Sequence, residues 1–148
     1  MSSKKRKQEI IEILSKCESI GGIDRDLVKS KEYYTKLLIL RDEFDSDSEK
    51  LSLLNLLKAF GNYERFLILE FLRENNRCVC ELEAVLGKTQ PAVSHHLRVL
   101  EEQGLIQGWK KGKFTHYSLI KTKFEEFREL WLNWAKKISN WFGAQIIS

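Results

Sequence analysis

Gln90, Ser94, His95 and Arg98 recur at helical spacing just behind Thr89 and Pro91. These side chains suit recognition of base edges better than bond-breaking chemistry. Glutamine can make a paired contact to adenine, serine can donate or accept, and His95 can bond guanine N7 or pack on a thymine methyl. His96 lies roughly 100° further around the helix, so both imidazoles cannot address one base. Lys88, Thr89, Arg98, Lys110, Lys111 and Lys113 suit phosphate oxygens, which set affinity more than sequence choice. The competing roles of the histidine pair are surface packing and metal ligation. The other reactive groups are thiols: Cys78 and Cys80, two apart, and Cys17 far upstream. An odd number of cysteines excludes a full disulfide framework, and reduced thiols fit an intracellular protein. A bond between residues 78 and 80 would be strained. No glycine-rich phosphate loop, nucleophile motif or paired carboxylates stand out, so an enzyme is not expected.

The elements that must position these groups are legible in outline. Thr89 reads as an N-cap, Pro91 falls in the first turn, and Val93, Leu97 and Leu100 form the apolar stripe, with Gly104 closing the helix. Before it lie a short strand at 77–79, a small helix from Cys80 to Leu86, and Gly87, suited to a left-handed helix end. After it, Leu105 to Trp109 and Phe114 to Leu119 read as strands around a turn at 110–113. Two helices joined by a short glycine-containing turn and followed by a hairpin give a winged helix-turn-helix. Upstream, helices are expected at 5–19 (Ile10, Ile13, Leu14 and Cys17 inward) and 29–44 (Tyr33, Leu37, Leu40, Phe44). A loop is expected at 45–48, then helices at 49–60 (Leu51, Leu54, Leu57, Phe60 inward) and 63–74 (Phe66, Leu67, Leu69 or Phe71, and Leu72 inward). Thr122 and Glu125 suggest a capping box for a final helix. On that helix Phe124, Phe127, Trp131, Trp134, Ile138 and Trp141 alternate at spacings of three and four, the pattern of a heptad seam. One domain could bury such a seam against its own body; we expect it instead to form a homodimer interface.

The expected architecture is mainly α with a small β-hairpin wing. It comprises an N-terminal helical extension (1–48), a winged helix-turn-helix DNA-binding domain (49–120) and a C-terminal dimerisation helix (121–148). The 148 residues suffice for a real core, and 43% apolar with 31% charged residues is a globular balance. No apolar run has the length of a membrane span and the first twenty residues lack a signal-peptide pattern, so a cytoplasmic protein without membrane contact is expected. Charge is unevenly spread. Lys4, Lys5, Arg6 and Lys7 make the start basic; residues 8–87 hold 11 basic and 16 acidic side chains, and 88–148 hold 10 and 5. A polyanion would be met at the ends of the chain and around the reading helix.

FLILEFL (66–72), CVCEL (78–82), TQPAVSHHLRVLEEQGLI (89–106) and FTHYSL (114–119) stand in the order and spacing of the ArsR/SmtB family of winged-helix repressors, which residues 53–119 resemble. The resemblance implies a homodimeric transcriptional repressor on a double-stranded DNA operator, released by a metal ion or metalloid. It implies no required cofactor. In the family a CVC box can supply two thiolates to a soft effector such as As(III), Sb(III), Cd(II) or Pb(II). Cys78 and Cys80 are placed for this. The position of a local third cysteine is Glu83, which leaves Cys17 as the remaining thiol. Inert structural thiols flanking a core Val79, and a thiol-redox switch, stand as alternatives. The family's other metal site needs Asp and His on the last helix, and 122–142 contain neither. His116, on a wing strand, reads as structural. Two departures are evident: Asn62-Tyr63-Glu64 precedes Arg65 where many members have Asp-Pro-Thr, and some fifty residues precede the match. A protein-interaction module on the same scaffold is the alternative to a DNA-binding regulator.

Overall fold

The computed structural model describes residues 3–16 and 27–146, with the side chains of 4–16 and 30–142. Cys17, and the expected end of the first helix at Ser19 to Gly22, lie outside the described residues. The chain divides into two compact units, residues 1–48 and 49–148.

The first unit holds α1 (Ser3–Lys16) and α2 (Leu27–Ser46), packed on one another. The Lys7 ammonium sits 5.7 Å from the centre of the Tyr34 ring. Ile11 is the buried residue of α1, whereas Ile13, expected inward, is 60% exposed. The run Ile10-Ile11 left the phase of that stripe open, and the structure selects Ile11. On α2, Leu37 and Leu40 also face outward. The loop expected at 45–48 shrinks to Asp47 alone. Serine and aspartate favour turns when their side chains compete for the backbone. Here Ser46 Oγ instead donates to the carbonyls of Asp42 and Glu43 (2.9 and 3.1 Å), extending α2 to its own position.

In the second unit α3 (Ser48–Phe60) and α4 (Tyr63–Glu74) precede β1 (Arg77–Cys78), α5 (Val79–Leu86) and α6 (Gln90–Glu102). A hairpin, β2 (Ile106–Lys111) and β3 (Phe114–Leu119), leads into α7 (Lys121–Ile146). The antiparallel sheet has the order β1-β3-β2, so β3 is shared by the edge strand and the wing. The core gathers Leu56, Ile68, Leu82, Leu97 and Leu100 from α3, α4, α5 and α6, with Leu105 from the approach to β2. It is the winged helix-turn-helix expected from sequence.

Two expected faces are corrected. On α3 the fully buried row is Leu53, Leu56 and Ala59, not Leu51, Leu54, Leu57 and Phe60, which are only half-buried. On α4 Ile68 joins the expected Leu69 and Leu72 in the core, while Phe66, expected inward, is 55% exposed. Both segments are apolar nearly all round, so periodicity does not fix their rotation. The final helix begins at Lys121, which places Thr122 inside it rather than at the cap; Glu125 pairs with Lys121 at 3.6 Å.

The entry to α4 is fastened by two residues. Asn62 is its N-cap, with Oδ1 accepting the Arg65 N–H at 3.0 Å. The Arg65 guanidinium turns back to donate to the last carbonyls of α3, Ala59 at 2.6 Å and Lys58 at 2.7 Å. One side chain thus satisfies acceptors that a helix end leaves open.

Candidate nucleic-acid interface

Helix α6 separates its two faces cleanly. Val93, Leu97 and Leu100 are at most 1% exposed and lock it onto the core. Gln90, Ser94, His95 and Arg98 all point to solvent. Thr89 is the N-cap by its backbone (φ −70°, ψ 153°), but its side chain makes no capping bond, which leaves the hydroxyl to an outside acceptor. The N–H groups of the first helical turn have no intrahelical partners and carry the positive end of the helix dipole, the usual setting for a phosphate. Arg98 is held loosely, 3.4 Å from His95 Nδ1 and 3.9 Å from Glu102. Lys88, exposed, reaches Glu64 at 3.8 Å. His96 turns toward the body. Burial holds its imidazole below the ordinary value, opposed by Glu64 and reinforced by His95, Arg65 and Lys88. Its Nδ1 is buried without a protein partner.

The wing stands next to α6 because Leu105 and Ile106, both buried, tie β2 to the core. Gly108 permits the closest contact. A Cβ there would lie 2.8 Å from Tyr117 Cε1 and 3.1 Å from Glu101 Oε1, so the Tyr117 ring packs where a side chain at 108 would stand. Burial, then the Glu101 carboxylate, raises the Tyr117 hydroxyl above its ordinary value. The turn is narrower than expected: Lys110 and Lys111 belong to β2, and only Gly112 and Lys113 turn the chain, with Gly112 at φ +63°. Lys110, Lys111 and Lys113 are all exposed. Every candidate base or phosphate contact is therefore accessible on one unit, divided between α6 with its approach and the wing.

The cysteines sit elsewhere on the same unit. Cys78 is buried and Cys80 exposed. Burial, then the neighbouring Cys80 thiol, pushes Cys78 above the ordinary thiol value. Cys78 has a structural task that sequence reading missed. It is the N-cap of α5: its sulfur faces the Glu81 N–H while the Glu81 carboxylate accepts the Cys78 N–H at 2.7 Å. The signal was the Cys-x-x-Glu spacing, a capping box with sulfur in place of a hydroxyl oxygen. Those bonds, aided by Arg77, lower the Glu81 carboxyl. Among the described residues, no group of three or more His, Cys, Asp or Glu side chains could hold a metal ion. His116 pairs across the sheet with Cys78 and stacks on Trp109.

The aromatic stripe of α7 divides in two. Phe124 and Phe127 pack on Phe60, with ring centres 6.0 and 4.7 Å away. Trp131, Trp134, Ile138 and Trp141 are 40–56% exposed in the single chain, and Trp131 rests on Trp134 at 5.5 Å. Among the described residues, no helix is long and apolar enough to cross a membrane.

The family model for bacterial regulatory proteins of the arsR family matches residues 63–107. An uncharacterised helix-turn-helix transcriptional regulator of Methanocaldococcus jannaschii is 37% identical over 76 residues, which span 51% of this chain and 85% of that protein. The arsenical resistance operon repressor of Escherichia coli is 39% identical over 67 residues, 45% of this chain and 57% of the repressor. Among solved structures, HlyU from Vibrio cholerae superposes with a TM-score of 0.51 at 32% identity, covering 58% of this chain and 91% of HlyU.

Proposed function

The chain belongs to the arsR family of bacterial regulatory proteins, and on that premise we propose that it is a homodimeric, sequence-specific repressor whose α6 reads the major groove of an operator. It is a DNA-binding transcription regulator and not an enzyme. One observation carries the finer reading: α6 buries one row of side chains completely while its opposite face presents Gln90, Ser94, His95 and Arg98. The major groove, about 12 Å wide, admits one helix. Gln90, Ser94 and His95 contact base edges, while Lys88, Thr89, Arg98, Lys110, Lys111 and Lys113 hold phosphates. A second copy joined through Trp131, Trp134, Ile138 and Trp141 would present two reading helices to half-sites about one helical turn apart. In this reading 49–120 is the DNA-binding domain, 121–148 the dimerisation helix and 1–48 an extension.

The test is footprinting on duplexes that the wild-type protein selects from a random-sequence pool. Gln90→Ala combined with His95→Ala should abolish the footprint and leave the dimer intact; an unchanged footprint sinks the assignment. Absence of any salt-dependent DNA binding by the wild type would favour a protein-interaction module instead.

The Cys78–Cys80 pair supports a second element of the proposal, a soft metal or metalloid effector such as As(III), Sb(III), Cd(II) or Pb(II). Thiolate donors match such ions in softness, and a similar protein is an arsenical resistance operon repressor. The described residues provide two sulfurs; Cys17 is the candidate third. Ligation displaces the thiol protons, so affinity should rise with pH, the more so because Cys78 holds its proton tightly. Titrations of As(III) and Cd(II) into the wild type, Cys17→Ser and Cys78→Ser decide the matter. No binding by the wild type ends the effector reading.

A further inference from the structure

The outer face of the wing carries groups besides its phosphate-contacting Lys111. In an antiparallel hairpin, opposed residues share a face, and so do alternate residues. The register therefore places three pairs together: Gln107 with Ser118, Trp109 with His116, and Lys111 with Phe114. The first pair is bridged, with Gln107 Nε2 donating to Ser118 Oγ at 3.4 Å. In the second the rings stack, 6.0 Å between centroids at 26°. The last pair closes the turn, and its Phe114 is 54% exposed at the tip of the hairpin. Tyr117 and Leu119, on the other face, pack against the core.

We propose that Phe114 is an apolar wedge that enters the minor groove of the bound duplex and unstacks one base step, while Lys110, Lys111 and Lys113 hold the phosphates on either side. This rests on the DNA-binding reading above and adds a second groove to it. Charge complementarity selects the partner: three of the four residues from Lys110 to Lys113 are cationic and exposed, a match to a polyanion rather than to an apolar protein surface. Shape agrees. The fourth residue is Gly112, whose missing Cβ would meet nothing within 4 Å, so the tip is bare backbone. A two-stranded ribbon with its side chains is sized for the major groove, so only the Phe114 ring beside that turn enters the minor groove, which is about 6 Å wide. Proteins that bind this groove insert apolar side chains between base steps and bend the duplex toward the major groove. Flexible pyrimidine–purine steps yield most readily, so Phe114 would confer sequence preference at positions where no side chain hydrogen-bonds a base.

The experiment uses the full chain and a duplex selected by the wild type, with 2-aminopurine placed at successive steps to report unstacking. Wild-type protein should raise the fluorescence at one step in each half-site. Phe114→Ala should abolish that rise, weaken binding about tenfold, and leave the salt dependence of affinity unchanged. Phe114→Leu, still an apolar wedge, should retain most of both. Lys113→Ala should keep the unstacking but reduce the salt slope by about one. Wild-type affinity and fluorescence in Phe114→Ala would overturn the wedge and leave the regulator reading standing. So would a loss of affinity in Phe114→Ala with a reduced salt slope and unchanged fluorescence. Failure of the wild type to select any duplex would overturn both.

Discussion

Arg65→Met removes the fork that joins the end of α3 to the start of α4 while keeping much of the apolar stem. The structure sets the magnitude. The bond to the Ala59 carbonyl at 2.6 Å is partly buried, and a bond from a charged donor in that setting contributes about 2 kcal/mol. The bond to Lys58 at 2.7 Å is exposed, so water can replace it and about 1 kcal/mol is appropriate. The expected loss is therefore about 3 kcal/mol, or roughly 6–12 °C in Tm for a chain of this size. Urea denaturation followed by circular dichroism, at fixed protein concentration because the proposed dimer would contribute to apparent stability, reads this directly. Arg65→Lys should lose about half as much, since an ammonium keeps the charge but lacks the planar fork. A loss below about 0.5 kcal/mol for Arg65→Met, the range of ordinary surface substitutions, would refute the claim that this side chain fastens the helix pair.

Three further outcomes are expected. Gly108→Ala puts a Cβ 2.8 Å from the Tyr117 ring, so thermal melts should show a loss of about 1–3 kcal/mol, with DNA affinity falling as the wing shifts off α6. His96 is held below the ordinary imidazole value of about 6.5, chiefly by burial, so the unfolded chain binds the proton more readily. Its contribution to stability is present above that value and lost as pH falls through the folded value, and unfolding curves of His96→Gln across this range should lose that pH-dependent component. Trp134→Ala should shift the dimer toward monomer in sedimentation velocity and leave the single-chain fold unchanged by circular dichroism, because Trp134 is 41% exposed in the single chain; an unshifted distribution would remove this stripe from the interface.

The helix proposed to read DNA was the most legible part of the molecule in sequence, for a physical reason. In α6 apolar residues occupy one stripe and polar ones the rest, so the rotation of the helix has only one solution, and a proline and a glycine mark its ends. In α3 and α4 apolar residues surround the helix, and the choice between Leu51 and Leu53, or between Phe66 and Ile68, is made by neighbours that local periodicity cannot see. Ser46 misled because its hydroxyl has two options, to break a helix or to bond back into it, and composition favours the first. The stripe on α7 was visible, but a stripe records only that something apolar covers it. Phe60 covers its first two aromatics, and the exposed remainder is the part proposed to meet a second copy. Cys78 was marked for its chemistry, whereas its capping of α5 depends on Glu81 three residues on and emerged only with the backbone in place.

The register of the small sheet gives Cys78 a wider reach than its position suggests. Cys78 lies opposite His116, and His116 lies opposite Trp109. At about 4.8 Å per strand, the edge strand and the far strand of the wing are separated by about 10 Å, with the shared β3 between them. The same residue starts α5, the first helix of the helix-turn-helix. An ion drawing on the Cys78 sulfur would have to take it from that helix cap, and the strand that carries it is the one braced against the wing. One displaced atom would then act as a lever with two arms, loosening the hinge in front of α6 while tugging the tip of the wing.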